Sequence, residues 1–266
     1  MVGSNTGAEQ TILAEIAAQH LEHRLGRPVE RKLAFGSAAI IYQAIQAGQI
    51  TVYPETTGTI QAVLLREQPG TEATVVWERT RAEMARVAQL EVFSPLGVDS
   101  SPVAVVSSTG DRSATPASIS EAASGKGKWS IGVSFEFQER YDGLTLFNNY
   151  RLPQSVPVRA MDPGQLFPAL EKGEVSMIVT PVTDGHLISP QWTALRDDKK
   201  VFPPHQTCLL ARQESLNAAP ALGPALAELS GKFTNEIMRK LNAQVDIEHR
   251  PVRDVAAEFL ASAGLR

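Results

Sequence analysis

The sequence predicts an α/β protein made of two similar lobes with a ligand cleft between them. Two observations carry that reading. Up to Tyr53 the chain alternates strand, helix, strand, helix, strand, which is how a doubly wound sheet with helices on its faces is built. A later stretch then repeats part of the pattern at an offset of 125 residues. Residues 44–59 read as a helix end, a stop at Gly48, a strand at Ile50–Tyr53 and a polar turn, Glu55-Thr-Thr-Gly-Thr59. Residues 169–185 read as a helix end, Gly173, a strand at Val175–Val179 and a second Thr/Gly-rich turn ending in Thr183-Asp-Gly185. Open α/β sheets bind ligands at the carboxyl ends of their strands, so each lobe offers one of these turns to the cleft.

The elements follow in order. Glu9–Leu25 is an amphipathic helix, with Ile12, Leu13, Ile16, Ala17 and Leu21 at three- and four-residue spacing and a stop at Gly26 and Pro28. Val29–Phe35 alternates as a strand and Ala38–Ala47 is a second helix. Helices are expected at Thr59–Leu65 and Glu78–Gln89 around a polar loop, and strands at Val92–Ser94 and Val103–Val106. Beyond the Ser107–Ser113 loop come a helix at Pro116–Ala123, a strand at Trp129–Val133, a short helix at Gly143–Asn149, a strand at Val156–Ala160 and a helix at Gln165–Lys172. Gly125-Lys-Gly-Lys128 lacks the P-loop spacing and reads as a solvated turn. Phe202-Pro-Pro204 interrupts regular structure, and Gln206–Ala211 returns the chain to the first lobe. Helices at Ala221–Leu229, Asn235–Val245 and Val252–Ala263 complete it. Two crossings divide the chain into residues 1–106 with 211–266, and residues 107–210, an arrangement that suits a clamshell.

Composition narrows the classes. At 266 residues, 43% hydrophobic and 20% charged, the chain is an ordinary globular one with room for a substantial core. A net charge of −4 leaves no basic footprint for nucleic acid. The one cysteine, Cys208, excludes an internal disulfide and reads as a buried small residue. Core structure begins at once with Val2-Gly-Ser4, which raises the expectation that a leader preceded it. The chain lacks the metalloprotease, nucleophile-elbow and dinucleotide motifs, so no catalytic residue, metal site or cofactor is expected. His20 and His23 share a helix face, read as solvated surface. Glu55 and Asp184 stand in the two echoed turns, where capping is the commoner use of an acid.

Several motifs, taken in order, resemble those of the osmoprotectant-binding proteins, the extracytoplasmic receptors of glycine betaine, carnitine and choline ABC importers. They are Val2-Gly-Ser4, Glu9-Gln10, Glu30-Arg-Lys-Leu33, Tyr53-Pro-Glu-x-Thr-Gly-Thr59, Glu136-Phe-x-x-Arg140, Thr183-Asp-Gly185, Asp197-Asp-Lys…Phe202-Pro-Pro204, Leu229-Ser-Gly-Lys232 and Leu241-Asn242. The resemblance implies a type II periplasmic-binding fold, a small-molecule solute, ABC permease subunits as partners, a periplasmic or extracytoplasmic location and a monomeric soluble domain. It also implies an aromatic cage for a quaternary ammonium group, since ring faces attract a cation that cannot donate hydrogen bonds.

At the positions matching the cage, this chain has Thr56, Ser101, Pro181 and His205, and near the first strand end Asn5 and Gly7. Thr59 and Arg140 match the carboxylate-binding side, and Arg140 is suited to a two-pronged grip on a carboxylate. A salt bridge from Arg140 to Glu55 or Asp184 is the equal alternative. Thr6, Ser37, Thr57 and Thr183 join these as expected ligand-binding residues. The expected ligand is thus a polar solute bearing a carboxylate. The alternatives are a betaine or choline binder with a rearranged cage, and a two-lobed enzyme or sensor domain.

Overall fold

The computed structural model describes residues 1–68, 70–108, 115–124, 129–139, 148–150 and 156–266. In chain order its elements begin with β1 (Val2–Gly3), α1 (Ala8–Leu25), β2 (Arg31–Lys32), α2 (Ala38–Gln46), β3 (Val52–Thr56) and the single turn α3 (Thr57–Thr59), which continues as a π-helix at Ile60–Leu65. Next come α4 (Ala73–Ala88), β4 (Leu90–Val92), β5 (Pro102–Ser107), α5 (Ile119–Ser124), β6 (Ile131–Ser134), α6 (Phe135–Glu139) and β7 (Val158–Met161). They are followed by α7 (Leu166–Glu171), β8 (Met177–Pro181), a 3-10 turn at Gly185–Ile188, β9 (Trp192–Ala194) and β10 (Thr207–Arg212). The C-terminal helices are α8 (Gln213–Ala218), α9 (Leu222–Ala227), α10 (Asn235–Asp246) and α11 (Val252–Ser262).

The strands form two five-stranded sheets of matching plan, β2-β1-β3-β10-β4 and β7-β6-β8-β5-β9. In each, three parallel strands are followed by one antiparallel strand, β10 in the first and β5 in the second. The repeat seen in the sequence is therefore a repeat of topology: β3 and β8 hold the same place, and their bounds differ by 125 residues. The antiparallel strand is in both cases the first one after a crossing. That moves both boundaries. Val103–Val106 belongs to the second sheet and not to residues 1–106 of the first, while residues 207–210 belong to the first. The crossings themselves pair with each other, through Ser100 N to His205 O at 2.9 Å, Thr207 N to Val98 O at 3.0 Å and a bridge between Asp99 and Gln206.

α1 is buried along most of its length. Ile12, Leu13, Ile16 and Leu21 are at most 2% exposed and share one core with α9, α10 and α11. Each such side chain contributes about 1.5–3 kcal/mol by leaving water. Gly26 ends the helix in the left-handed region (φ 63°), a conformation that costs glycine little. His20 corrects the expectation of a solvated face: it is fully buried, with Nδ1 3.2 Å from Leu265 O and Nε2 3.0 Å from Ala225 O. The helices that cover it lie some two hundred residues away, so local spacing could not reveal them.

Other differences are local. The strand expected over Val29–Phe35 is only Arg31–Lys32, where Arg31 turns to Glu15 and Glu22. β3 runs on through Pro54 to Thr56, so Glu55 and Thr56 are strand residues and not part of a turn. α4 begins at Ala73, five residues before the expected Glu78, and α8 was not foreseen. Cys208 is buried in β10, which pushes its thiol up to about 12. The Gly125-Lys-Gly-Lys128 turn lies outside the described residues, as does most of the Gly143–Asn149 helix. Among the described residues no helix is long and apolar enough to cross a membrane.

Candidate functional site

The sheet plan explains where the expected site residues fall. Parallel strands β1, β2 and β3 end at one edge of the first sheet and hand over to Asn5 and Thr6, to Ser37, and to Thr57 and Thr59 respectively. β10 runs the other way, so the same edge is where it begins, just after His205. In the second sheet β8 ends at Pro181, and β5 starts opposite it just after Ser101. All ten described candidates thus stand on the carboxyl edges of the parallel strands, where α/β sheets carry ligands.

Five of them form one cluster across the crossings, four of them buried and Ser101 half-buried. Thr56 Oγ1 lies 2.9 Å from Thr59 Oγ1 and 3.2 Å from His205 Nδ1, and caps α3 by accepting from Thr59 N at 3.2 Å. Thr57 donates from N to Gln206 O at 2.9 Å and from Oγ1 to Pro204 O at 3.3 Å. The imidazole of His205 rests on Gly58: a Cβ there would come within 2.3 Å of Nε2. His205 N donates to Asp99 Oδ1 at 3.0 Å and to Ser101 Oγ at 3.2 Å, and Ser101 Oγ itself donates to Asp99 Oδ1 at 2.5 Å. Asp99 N donates to Asn235 Oδ1 at 2.9 Å. Asp99 is therefore the knot that sets His205, and sequence reasoning passed over it because a lone aspartate in a turn carries no signal.

Asn5, Thr6 and Ser37 gather at the other end of the same edge, where Thr6 N donates to Gly36 O at 3.2 Å and Asn5 Oδ1 accepts from Gly7 N at 3.2 Å. Two exposed rings stand on these edges as well: Phe35, 39% exposed, after β2, and Phe135, 54% exposed, after β6. Lys32 Nζ lies 5.3 Å from the Phe35 ring centroid, an example of a cation on an aromatic face. Arg140 lies outside the described residues.

Thr183 departs from its expected role. It is fully buried, its Oγ1 donates to Glu9 Oε2 at 2.5 Å, and its carbonyl accepts from Asn242 Nδ2 at 2.8 Å. Its neighbour Gly185 packs against the backbone of Ala243, and Arg239 Nε donates to Val182 O at 2.7 Å. The turn after β8 is thus a bearing on α1 and α10. Asp184 caps this turn by accepting from His186 N at 2.9 Å, and its hydrogen bond to Nδ1 raises the imidazole of His186. Glu9 and Asn242 were legible only as motif residues without an assigned task.

Among the described residues no group of histidine, cysteine, aspartate or glutamate could hold a metal ion. A recess of about 470 Å³ opens at the opposite, amino edge of the first sheet, lined by Met1, Leu25, Pro28, Val29, Thr51 and Leu222. It includes none of the candidate residues.

Two matching α/β units joined by paired crossings define a two-lobed periplasmic-binding fold. The chain belongs to the family of substrate-binding domains of ABC-type glycine betaine transport systems, whose model matches residues 1–262. It is 26% identical over 268 residues to the ergothioneine transport permease/ergothioneine binding protein EgtU of Helicobacter pylori, covering all of this chain and 48% of that protein. It is 25% identical to the carnitine transport binding protein OpuCC of Listeria monocytogenes (97% of this chain, 85% of that one). It is 27% identical to the glycine-betaine-binding protein of Pseudomonas aeruginosa (97% and 86%). This chain spans about half the length of the first of these relatives and most of the other two. A crystal structure of a glycine betaine/carnitine/choline ABC transporter superposes with a TM-score of 0.85 at 22% identity, covering 99% of this chain and 98% of that one. Lactococcal OpuAC in its closed, glycine betaine-bound form gives 0.68 at 13% identity, covering 98% and 94%.

Proposed function

We propose that this chain is the extracytoplasmic receptor domain of an ABC importer, and that it hands permease subunits a small polar solute bearing a carboxylate. Glycine betaine and choline are expected to bind weakly or not at all. The Thr56–His205 pair carries the ligand half of this reading. Where the family resemblance places rings, a hydroxyl and an imidazole are hydrogen-bonded to each other over Gly58. They offer dipoles in place of π faces, and a ring face is worth about 2 kcal/mol to a desolvated cation.

The relatives' names support the other half. Glycine betaine, carnitine and ergothioneine are all betaines, each carrying a carboxylate together with a trimethylammonium group, and the carboxylate is the half of them that this reading keeps. Arg140 is the expected partner, a fixed cation whose fork matches two carboxylate oxygens. Native mass spectrometry of the freshly purified protein should find an acidic or zwitterionic small molecule bound. Arg140→Ala should then weaken that ligand by roughly a hundredfold or more, the usual loss on truncating one side of a desolvated ion pair. Full affinity in Arg140→Ala would overturn the carboxylate assignment.

A second reading, a betaine binder with its cage rebuilt elsewhere, has one observation in its favour. Phe35 and Phe135 are exposed rings on the carboxyl edges of the two sheets. Retention of betaine binding in the parent and its loss in Phe135→Ala would select it.

A further inference from the structure

Glu9 stands where three parts of the chain meet. Its Oε1 accepts from Ser100 Oγ in the first crossing, and its Oε2 accepts from Thr183 Oγ1 of the second unit at 2.5 Å and from Asn242 Nδ2 of α10 at 3.3 Å. Ser100 Oγ is also 3.3 Å from Thr207 Oγ1 at the start of β10, with either oxygen able to donate. Among the described residues none of the groups bonded to the Glu9 carboxyl is a cation. Among the described residues the charge that acts on this carboxyl is Asp184, which stands with His186 and Asp246, while Arg239 on α10 donates its Nε to Val182 O at 2.7 Å. A half-buried residue whose carboxyl meets hydroxyls and an amide, with a like charge nearby, differs from Glu15 and Glu22, which both meet Arg31.

We propose that Glu9 is a proton-linked tie between the two units: the joint closes on a protonated carboxyl and loosens when that carboxyl ionises. The hydroxyl chain can serve the protonated form. Glu9 then donates to Ser100 Oγ, and Ser100 turns its own proton to Thr207 Oγ1, so no donor is lost. Ionised, Glu9 keeps three donors but meets no counter-ion among the described residues, and hydration on opening would relieve that charge. The direction of titration agrees, because burial pushes the Glu9 carboxyl above its ordinary range, with Asp184 adding to the rise. By linkage, the state with the higher affinity for the proton is favoured as pH falls.

Amide hydrogen exchange of residues 182–188 in the ligand-free protein, corrected for intrinsic rates, tests this independently of what the cleft binds. Protection in the parent should fall by roughly threefold from pH 5 to pH 8, as the linked proton is lost. Glu9→Gln, neutral and of the same shape, should hold the pH 5 level of protection at both values. His186→Gln should keep the parent's step. A flat parent, a Glu9→Gln protein that falls as far as the parent, or a step abolished by His186→Gln would each overturn the proposal. If Glu9→Gln does not fold, Thr183→Val takes its place, because removing the second unit's hydroxyl must shrink the step; an undiminished step overturns it.

Discussion

The turns that follow β3 and β8 hold equivalent places in their sheets and differ in what rests on their glycines. At Gly58 it is the imidazole of His205, a side chain on a crossing that can turn aside. At Gly185 it is backbone: a Cβ would lie 2.5 Å from Ala243 N and 2.7 Å from its Cα, in the last turn of α10. The first turn therefore shapes a surface at the carboxyl edge, and the second fixes how the second unit sits on the first. Two turns of like composition have separate tasks because their neighbours differ.

Substitutions should separate the two turns by size of effect. Gly185→Ala sets a methyl against helix backbone that cannot shift alone, so it should lower stability by roughly 3 kcal/mol in urea unfolding, the upper range for overpacking. A loss below half that would mean the turn is not a bearing. Gly58→Ala should cost about 1 kcal/mol, since the ring can move and the main loss is the Thr56–His205 hydrogen bond. A cost equal to that of Gly185→Ala would erase the distinction.

The smallest effect is one of pH. Because the Glu9 carboxyl is raised in the fold, its favourable contribution is present in full below its ordinary value and is lost as pH rises through the raised one. Glu9→Gln should therefore match the parent in thermal stability near pH 4 and exceed it increasingly toward pH 8. The opposite trend would show that the carboxylate is stabilised where it is buried.

Much of this was legible in the sequence where the physics is local. The spacing of Ile12, Leu13, Ile16 and Leu21 marks α1, and the 125-residue echo marks the repeated sheet plan. The strand expected over Ile50–Tyr53 runs on through Pro54, although proline cannot donate to a ladder. The proline is tolerated because Leu209, opposite it, turns its carbonyl to Phe93, and because β1 has already ended at Gly3 on the other side. That depends on the lengths and partners of other strands. The same holds for the crossings: an apolar strand does not say which sheet it joins, and Val103–Val106 joined the second. Thr183 looked like a cleft residue because its turn echoes the first. Only the packing of α1 and α10 shows that its hydroxyl is already taken.

Polar groups in place of a cation cage, as proposed for Thr56 and His205, would leave choline unbound, which titration calorimetry with choline beside glycine betaine measures. Choline has the quaternary ammonium group and a hydroxyl but no carboxylate, so its cation depends on ring faces. The account predicts no measurable heat from choline and, at most, millimolar binding of glycine betaine. Micromolar binding of choline would contradict it.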